Sequence, residues 1–242
     1  MSLLAVENLS ARHGLLQAVS EVSLAASEGE ILALVGANGA GKTTLLRTIA
    51  GSHRAAGGRI IFDGTELGTM RANRRVRLGI ALVPEGRRLF GGMTVEENLK
   101  VAGANGRPGR WTIETVLDAF PLLKPLMRRR AGELSGGQQQ ATAIGRALMT
   151  NPRVLLLDEV SLGLSPVAVQ AVYESLHSVI EGRGTTIVLV EQDLSRVLRI
   201  ATRVACMLEG RIVLEGKAAD MTRERVTEAY FGLRRGAGGA HA

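Results

Sequence analysis

Residues 31–35, Ile-Leu-Ala-Leu-Val, form an unbroken apolar run, and comparable runs recur at 81–83, 154–157 and 186–190, each followed by a polar or Gly-rich corner. Continuous apolar stretches of this length are how strands buried on both faces read. Residues 42–50, 136–149 and 166–180, which separate them, carry apolar positions at helical spacing. The alternation predicts an α/β fold with a parallel sheet whose functional groups gather at the carboxyl ends of its strands.

A different pattern flanks this core. Residues 3–9 and 21–26 show mixed apolar alternation and 59–63 add a β-branched run, which predicts an antiparallel sheet near the N-terminus. From about 85 to 149 there are several helical stretches and no convincing strand, so this segment reads as a helical subdomain inserted between two core strands. Residues 203–209 and 211–215 around Gly210 read as a hairpin, and the Gly-rich tail at 234–242 is expected to fray. No internal repeat is evident, and 242 residues suit one domain.

Composition narrows the classes. A hydrophobic fraction of 45% with 22% charged residues is that of a globular chain and excludes disordered or collagen-like readings. Thirty Lys and Arg against 23 Asp and Glu favour anionic partners. Only 3% of residues are aromatic, which leaves few base-stacking platforms, and no nucleic-acid partner is expected. Cys206 stands alone and reads as a small buried hydrophobe in a reducing compartment. No secretory signal is evident, and no apolar run nears the roughly 20 residues a spanning helix needs, so any membrane attachment is expected to come from partners. The remaining histidines, His53, His177 and His241, lack metal-ligand spacing, and Trp111 is expected to pack within the helical insert.

The candidate chemistry starts at Gly36, Ala37, Asn38, Gly39, Ala40, Gly41, Lys42 and Thr43, a G-x-x-x-x-G-K-T stretch between a buried strand and a helix. Its glycines let successive amides turn inward around a phosphate, and the helix start adds its positive dipole end. Lys42 reaches the β- and γ-phosphates, and the Thr43 hydroxyl ligates Mg²⁺. Residues 154–159 supply the complementary half, an apolar strand that delivers Asp158 and Glu159 to its carboxyl end. Strand alternation points the two carboxylates differently: Asp158 toward the Mg²⁺ shell, Glu159 toward an attacking water as general base.

A second Gly-rich segment, Leu134, Ser135, Gly136, Gly137 and Gln138, opens the helix predicted over 136–149. Leu-Ser-Gly-Gly-Gln shortly before Asp158 resembles the signature of the ATP-binding cassette family, and the resemblance covers nearly the whole chain. It implies a P-loop ATPase core with an N-terminal antiparallel β subdomain and an inserted helical subdomain, with ATP and Mg²⁺ as cofactors. It also implies two cassettes facing head to tail, with Ser135 and Gly137 reaching the γ-phosphate held by the partner's phosphate loop. Further positions match the family pattern with substitutions. His13 stands where a base-stacking aromatic is expected, and Thr44 extends the nucleotide-binding stretch. Glu85 stands in place of the lid glutamine, either to ligate Mg²⁺ or to bind an Arg of the helical insert. Gln192 takes the place of the switch histidine; it can hydrogen bond a γ-phosphate without carrying an imidazolium charge.

Val-Pro-Glu-Gly-Arg-Arg at 83–88, Met-Thr-Val-Glu-Glu-Asn-Leu at 93–99, Ser-Leu-Gly-Leu-Ser-Pro at 161–166 and Val-Glu-Gln at 190–192 are similar to one branch of the family. That branch is the second ATPase subunit of high-affinity branched-chain amino-acid importers. The resemblance implies a peripheral subunit at the cytoplasmic face of a prokaryotic inner membrane. Its partners would be a second cassette ATPase, two multispan permeases and, indirectly, an external solute-binding protein. The nearest alternatives are the same cassette role in a urea, amide or other amino-acid importer, a soluble cassette regulator of RNA or ribosomes, and a nucleotide-binding subunit that scarcely hydrolyses ATP.

Overall fold

The computed structural model describes residues 2–180 and 184–231, with Tyr230 and Phe231 described by backbone alone, so the tail expected to fray at 234–242 and His241 lie outside the described residues. The chain opens with β1 (Ser2–His13) and β2 (Leu16–Ser27), an antiparallel pair, followed by β3 (Ile31–Val35) and α1 (Lys42–Ile49). β4 (Ala55–Phe62) and β5 (Thr65–Glu66) complete a four-stranded antiparallel sheet in the order β2-β1-β4-β5. β1 and β2 run further than the alternation predicts because the pairing contains bulges, with Asn8 and Glu21 at positive φ, and each bulge resets the apolar period.

α2 (Ala72–Leu78) leads into β6 (Ile80–Val83). The next stretch contributes α3 (Val95–Gly103), α4 (Ile113–Ala119), two 3₁₀ segments and α5 (Gly136–Leu148); the only pairing described there is a bridge between Thr94 and Arg130. β7 (Val154–Asp158), α6 (Pro166–Ile180), β8 (Thr186–Glu191), α7 (Leu194–Ile200), β9 (Arg203–Leu208), β10 (Arg211–Lys217) and α8 (Arg223–Phe231) follow.

The second sheet has the order β10-β9-β3-β8-β7-β6, parallel except for the β9–β10 hairpin at one edge. All residues of β3, β7 and β8 are buried, which explains why they read as unbroken apolar runs. One apolar cluster packs α5, α6 and the helical insert, including Trp111, against one face of this sheet, and another joins α1 and the antiparallel sheet to the other face. The order β3-β8-β7 sets the ends of three strands side by side: Val35 lies opposite Glu191, and Asp158 opposite Val190.

Candidate active site

The loop after β3 leads straight into α1, and two of its glycines are required sterically. A Cβ on Gly36 would collide with the Met207 carbonyl oxygen, and Gly41 has φ +100° against the Ala18 carbonyl. Any side chain would push the loop away from β9 and from the β1–β2 hairpin. Residues 38–44, His13, Leu16, Ala18 and Glu159 line a cleft of about 230 Å³ above this loop.

Lys42 is only 3% exposed. Its Nζ donates to the carbonyls of Gly36 at 2.8 Å and Ala37 at 2.9 Å, and stands 3.9 Å from Glu159 Oε1. Burial pushes its pKa down, against the opposing pull of Glu159, Asp158 and Glu191. This ammonium is therefore held in the loop by neutral acceptors, in reach of any anion that enters it.

Thr43 donates from Oγ1 to Asp158 Oδ1 at 2.8 Å, joining the start of α1 to the end of β7. The other oxygen, Asp158 Oδ2, is buried without a hydrogen-bond partner. Burial raises the Asp158 pKa, while the Thr43 hydroxyl lowers it in part. A buried, unpartnered carboxylate oxygen beside a threonine hydroxyl is a donor set that fits a hard divalent cation completed by phosphate and water.

Glu159 follows at φ 49°. Both of its oxygens accept from Gln192 Nε2, each at 3.1 Å, so the turns after β7 and β8 meet at this carboxylate. His13, at the end of β1, bonds through Nε2 to Thr44 Oγ1 at 3.0 Å, and its ring lies 4.6 Å from that of His53. The expected group of His13, Lys42, Thr43, Thr44, Asp158, Glu159 and Gln192 is thus assembled around one cleft.

Two expected elements do not line this cleft. Glu85 is exposed and among the described residues has no salt bridge to an arginine, while its charge lies near enough to Asp158 to help raise that carboxyl's pKa. The loop that carries it is instead tied to α5, with Arg146 donating to the carbonyls of Arg88 and Arg87 at 2.8 and 3.1 Å, and Arg87 donating to Gln139 at 3.0 Å. The segment 134–138 forms the N-terminus of α5. Ser135 Oγ accepts from the Gln138 amide, and Gln138 Oε1 accepts from the Ser135 amide. Ser135 is exposed, and none of these five residues lines the cleft at 38–44.

Sequence reading missed Arg146, Arg75, Tyr173 and Glu191. The two arginines bond to backbone carbonyls, and the other two residues to each other, so no local spacing announces them.

A sheet with three catalytic-type loops at adjacent strand ends, a phosphate loop and a signature helix describe a nucleotide-hydrolysing cassette. Residues 19–161 match the ABC transporter family, and the chain belongs to that family. It is an ATPase. It is 44% identical to the high-affinity branched-chain amino acid transport ATP-binding protein BraG of Pseudomonas aeruginosa, over 95% of this chain and 100% of that protein. It is 35% identical to a probable branched-chain amino acid transport ATP-binding protein, LivF, of Archaeoglobus fulgidus, over 88% of this chain and 91% of that one. Among solved structures, an ATP-binding cassette of an ABC transporter in its ADP conformation is similar, with TM-score 0.79, 30% identity and coverage of 96% and 99%. Among the described residues no helix is long and apolar enough to cross a membrane.

Proposed function

We propose that this chain is one of two cassette ATPases of a branched-chain amino-acid importer, and that it works at the cytoplasmic face of the inner membrane. One observation carries the paired arrangement: residues 134–138 are fully formed and capped, yet stand outside the cleft of their own chain. A site that needs both segments is then complete only when a second cassette supplies its signature. The cargo follows from the end-to-end correspondence with BraG.

In this reading the amides of residues 36–43 hold the β-phosphate of ATP. Lys42 exchanges its two carbonyl partners for phosphate oxygens, an exchange of acceptors that needs little reorganisation. Thr43 and Asp158 would hold Mg²⁺, which supplies charge neutralisation on the phosphates when bound. Glu159 accepts the proton of the attacking water, Gln192 hydrogen bonds the γ-phosphate, and His13 stacks on the adenine. Ser135 and Gly137 of the partner cassette close over the γ-phosphate.

The permease docks between α2, α3 and α5. A cleft of about 400 Å³ opens there, lined by Val76, Phe90, Val101, Arg88 and Arg146 and free of acidic residues. Phe90 and Val101 are exposed. This chemistry fits a short cytoplasmic segment of the permease with an apolar face and an acidic residue. Two permeases, a second cassette and an external solute-binding protein complete the importer, and no nucleic acid takes part.

Purification from gently solubilised native membranes with mass spectrometry tests this. The expected result is co-purification with a second cassette ATPase and two multispan proteins. Recovery in the soluble fraction, alone or with RNA, would overturn the transport role while leaving the ATPase chemistry intact; permeases for urea or amides would change only the cargo.

A further inference from the structure

Glu191 is the last residue of β8 and is only 3% exposed. A carboxylate so enclosed requires donors. One is the phenol of Tyr173 on α6, which donates to Oε1 at 2.7 Å; the other is the amide of the next residue, Gln192, which donates to Oε2 at 3.2 Å. Burial and the nearby Glu191 charge push the Tyr173 pKa up, so its hydroxyl stays protonated and a donor. The following residue is fastened as well. Asp193 caps α7 by accepting from the Ser195 amide at 2.9 Å and pairs with Arg196 at 3.1 Å. Arg196 in turn donates to Ser161 Oγ at 3.0 Å, in the turn after β7.

Gln192 therefore sits between two anchored neighbours, while its own side chain is exposed and hydrogen bonds to Glu159. What aims Nε2 at the two Glu159 oxygens is the backbone that Glu191 fixes. We propose that Tyr173 and Glu191 are positioning residues for Gln192: the phenol holds the buried carboxylate, the carboxylate holds the Gln192 amide, and the Gln192 side chain is thereby presented to Glu159 and to the γ-phosphate. The inference rests on the reading of Glu159 and Gln192 as parts of the hydrolytic site. Tyr173 does not line the cleft at 38–44 and acts through its neighbours.

The test is ATP hydrolysis by the full chain with its partner subunits, measured over a range of ATP concentrations, for Tyr173→Phe, Glu191→Gln, Gln192→Ala and the double variant Y173F/Q192A. Tyr173→Phe removes one hydroxyl and keeps the packed ring. Glu191→Gln keeps the volume but removes the charge and leaves one acceptor oxygen where the Tyr173 hydroxyl and the Gln192 amide now have two. The expected result is that both lose about fivefold in kcat, with KM for ATP changed less than twofold. Adding Tyr173→Phe to Gln192→Ala should then cost nothing further. Full activity of Tyr173→Phe alongside a slow Gln192→Ala would overturn the positioning role alone, and so would losses that multiply in the double variant. Full activity of Gln192→Ala would bring down this inference together with the reading of the site.

Discussion

Gln192 bridges both carboxylate oxygens of Glu159, at 3.1 Å each, while Lys42 stands 3.9 Å from the same group and directs its hydrogen bonds to the Gly36 and Ala37 carbonyls. The candidate base is thus held by a neutral amide, and the cation beside it is engaged elsewhere. An imidazole at position 192 would add charge that an amide lacks, and a hydrogen bond to a charged group is the stronger kind. Gln192→His is expected to raise single-turnover hydrolysis at this chain's own site by about fivefold below pH 7. Rapid-quench measurement of that site, with the partner's site inactivated, checks it; an unchanged rate would show that the missing imidazolium charge does not limit hydrolysis there.

Glu159→Gln retains the shape of the side chain and removes its basicity. General-base catalysis contributes about a hundredfold or more, so hydrolysis should fall by at least that much while ATP binding persists. With ATP bound and not consumed, the closed pair should accumulate. Gel filtration with ATP should then show a dimer-sized species that is absent with ADP. Normal hydrolysis by this variant would mean that another group takes the proton.

Cys206 lies on β9 opposite Val35, one residue before the phosphate loop. Burial pushes its pKa up to about 11. Because the folded value lies above the unfolded one, this thiol contributes stability below the unfolded pKa, and that contribution is lost as pH rises through the folded value. Alkylation at pH 8 should be slow in the native protein, rise toward pH 11, and become fast in denaturant. Bound ATP should slow it further, because a ligand that binds only the folded chain lowers the population of opened molecules in which the thiol is reached. Mass-spectrometric labelling rates with and without ATP measure this, and prompt labelling of native protein at pH 8 would contradict the burial.

Much of this site was readable because its parts are local. β3, β7 and β8 are buried on both faces, so their runs are unbroken, and the residues that follow each strand end at the cleft. The two Gly-rich segments carry their chemistry in consecutive residues. The signature at 134–138 was likewise readable as a helix start, since Ser135 and Gln138 cap reciprocally within one turn. What escaped is what the tertiary fold brings together. Tyr173 and Glu191 are 18 residues apart and meet only because α6 packs beside the end of β8. α2 and α7 are seven residues each, too short to display a helical period. The extent of β1 and β2 was hidden by bulges that shift alternation from one face to the other.

Arg75 was equally invisible, and it sets the last expectation. It is 3% exposed, and its donors go to carbonyls: Nε to Met70 at 2.9 Å, Nη1 to Thr48 and Ile49 at 2.9 and 2.8 Å, and Nη2 to Gly68 at 2.9 Å. Thr48 and Ile49 are the last residues of α1, whose first residue is Lys42. A planar cation therefore caps the negative end of the helix that carries the phosphate loop at its other end. Arg75→Ala would leave these carbonyls without their donor, and the expected loss is about 3 kcal/mol, or a Tm lower by about 8 °C. Arg75→Lys should recover less than half of it, because a single ammonium cannot reach all four carbonyls, which lie at 48–49 and at 68–70. Denaturant unfolding of the nucleotide-free chain measures both. A loss below about 1 kcal/mol, or full recovery with lysine, would show that burial of the aliphatic stem, rather than the guanidinium fork, is what α1 depends on.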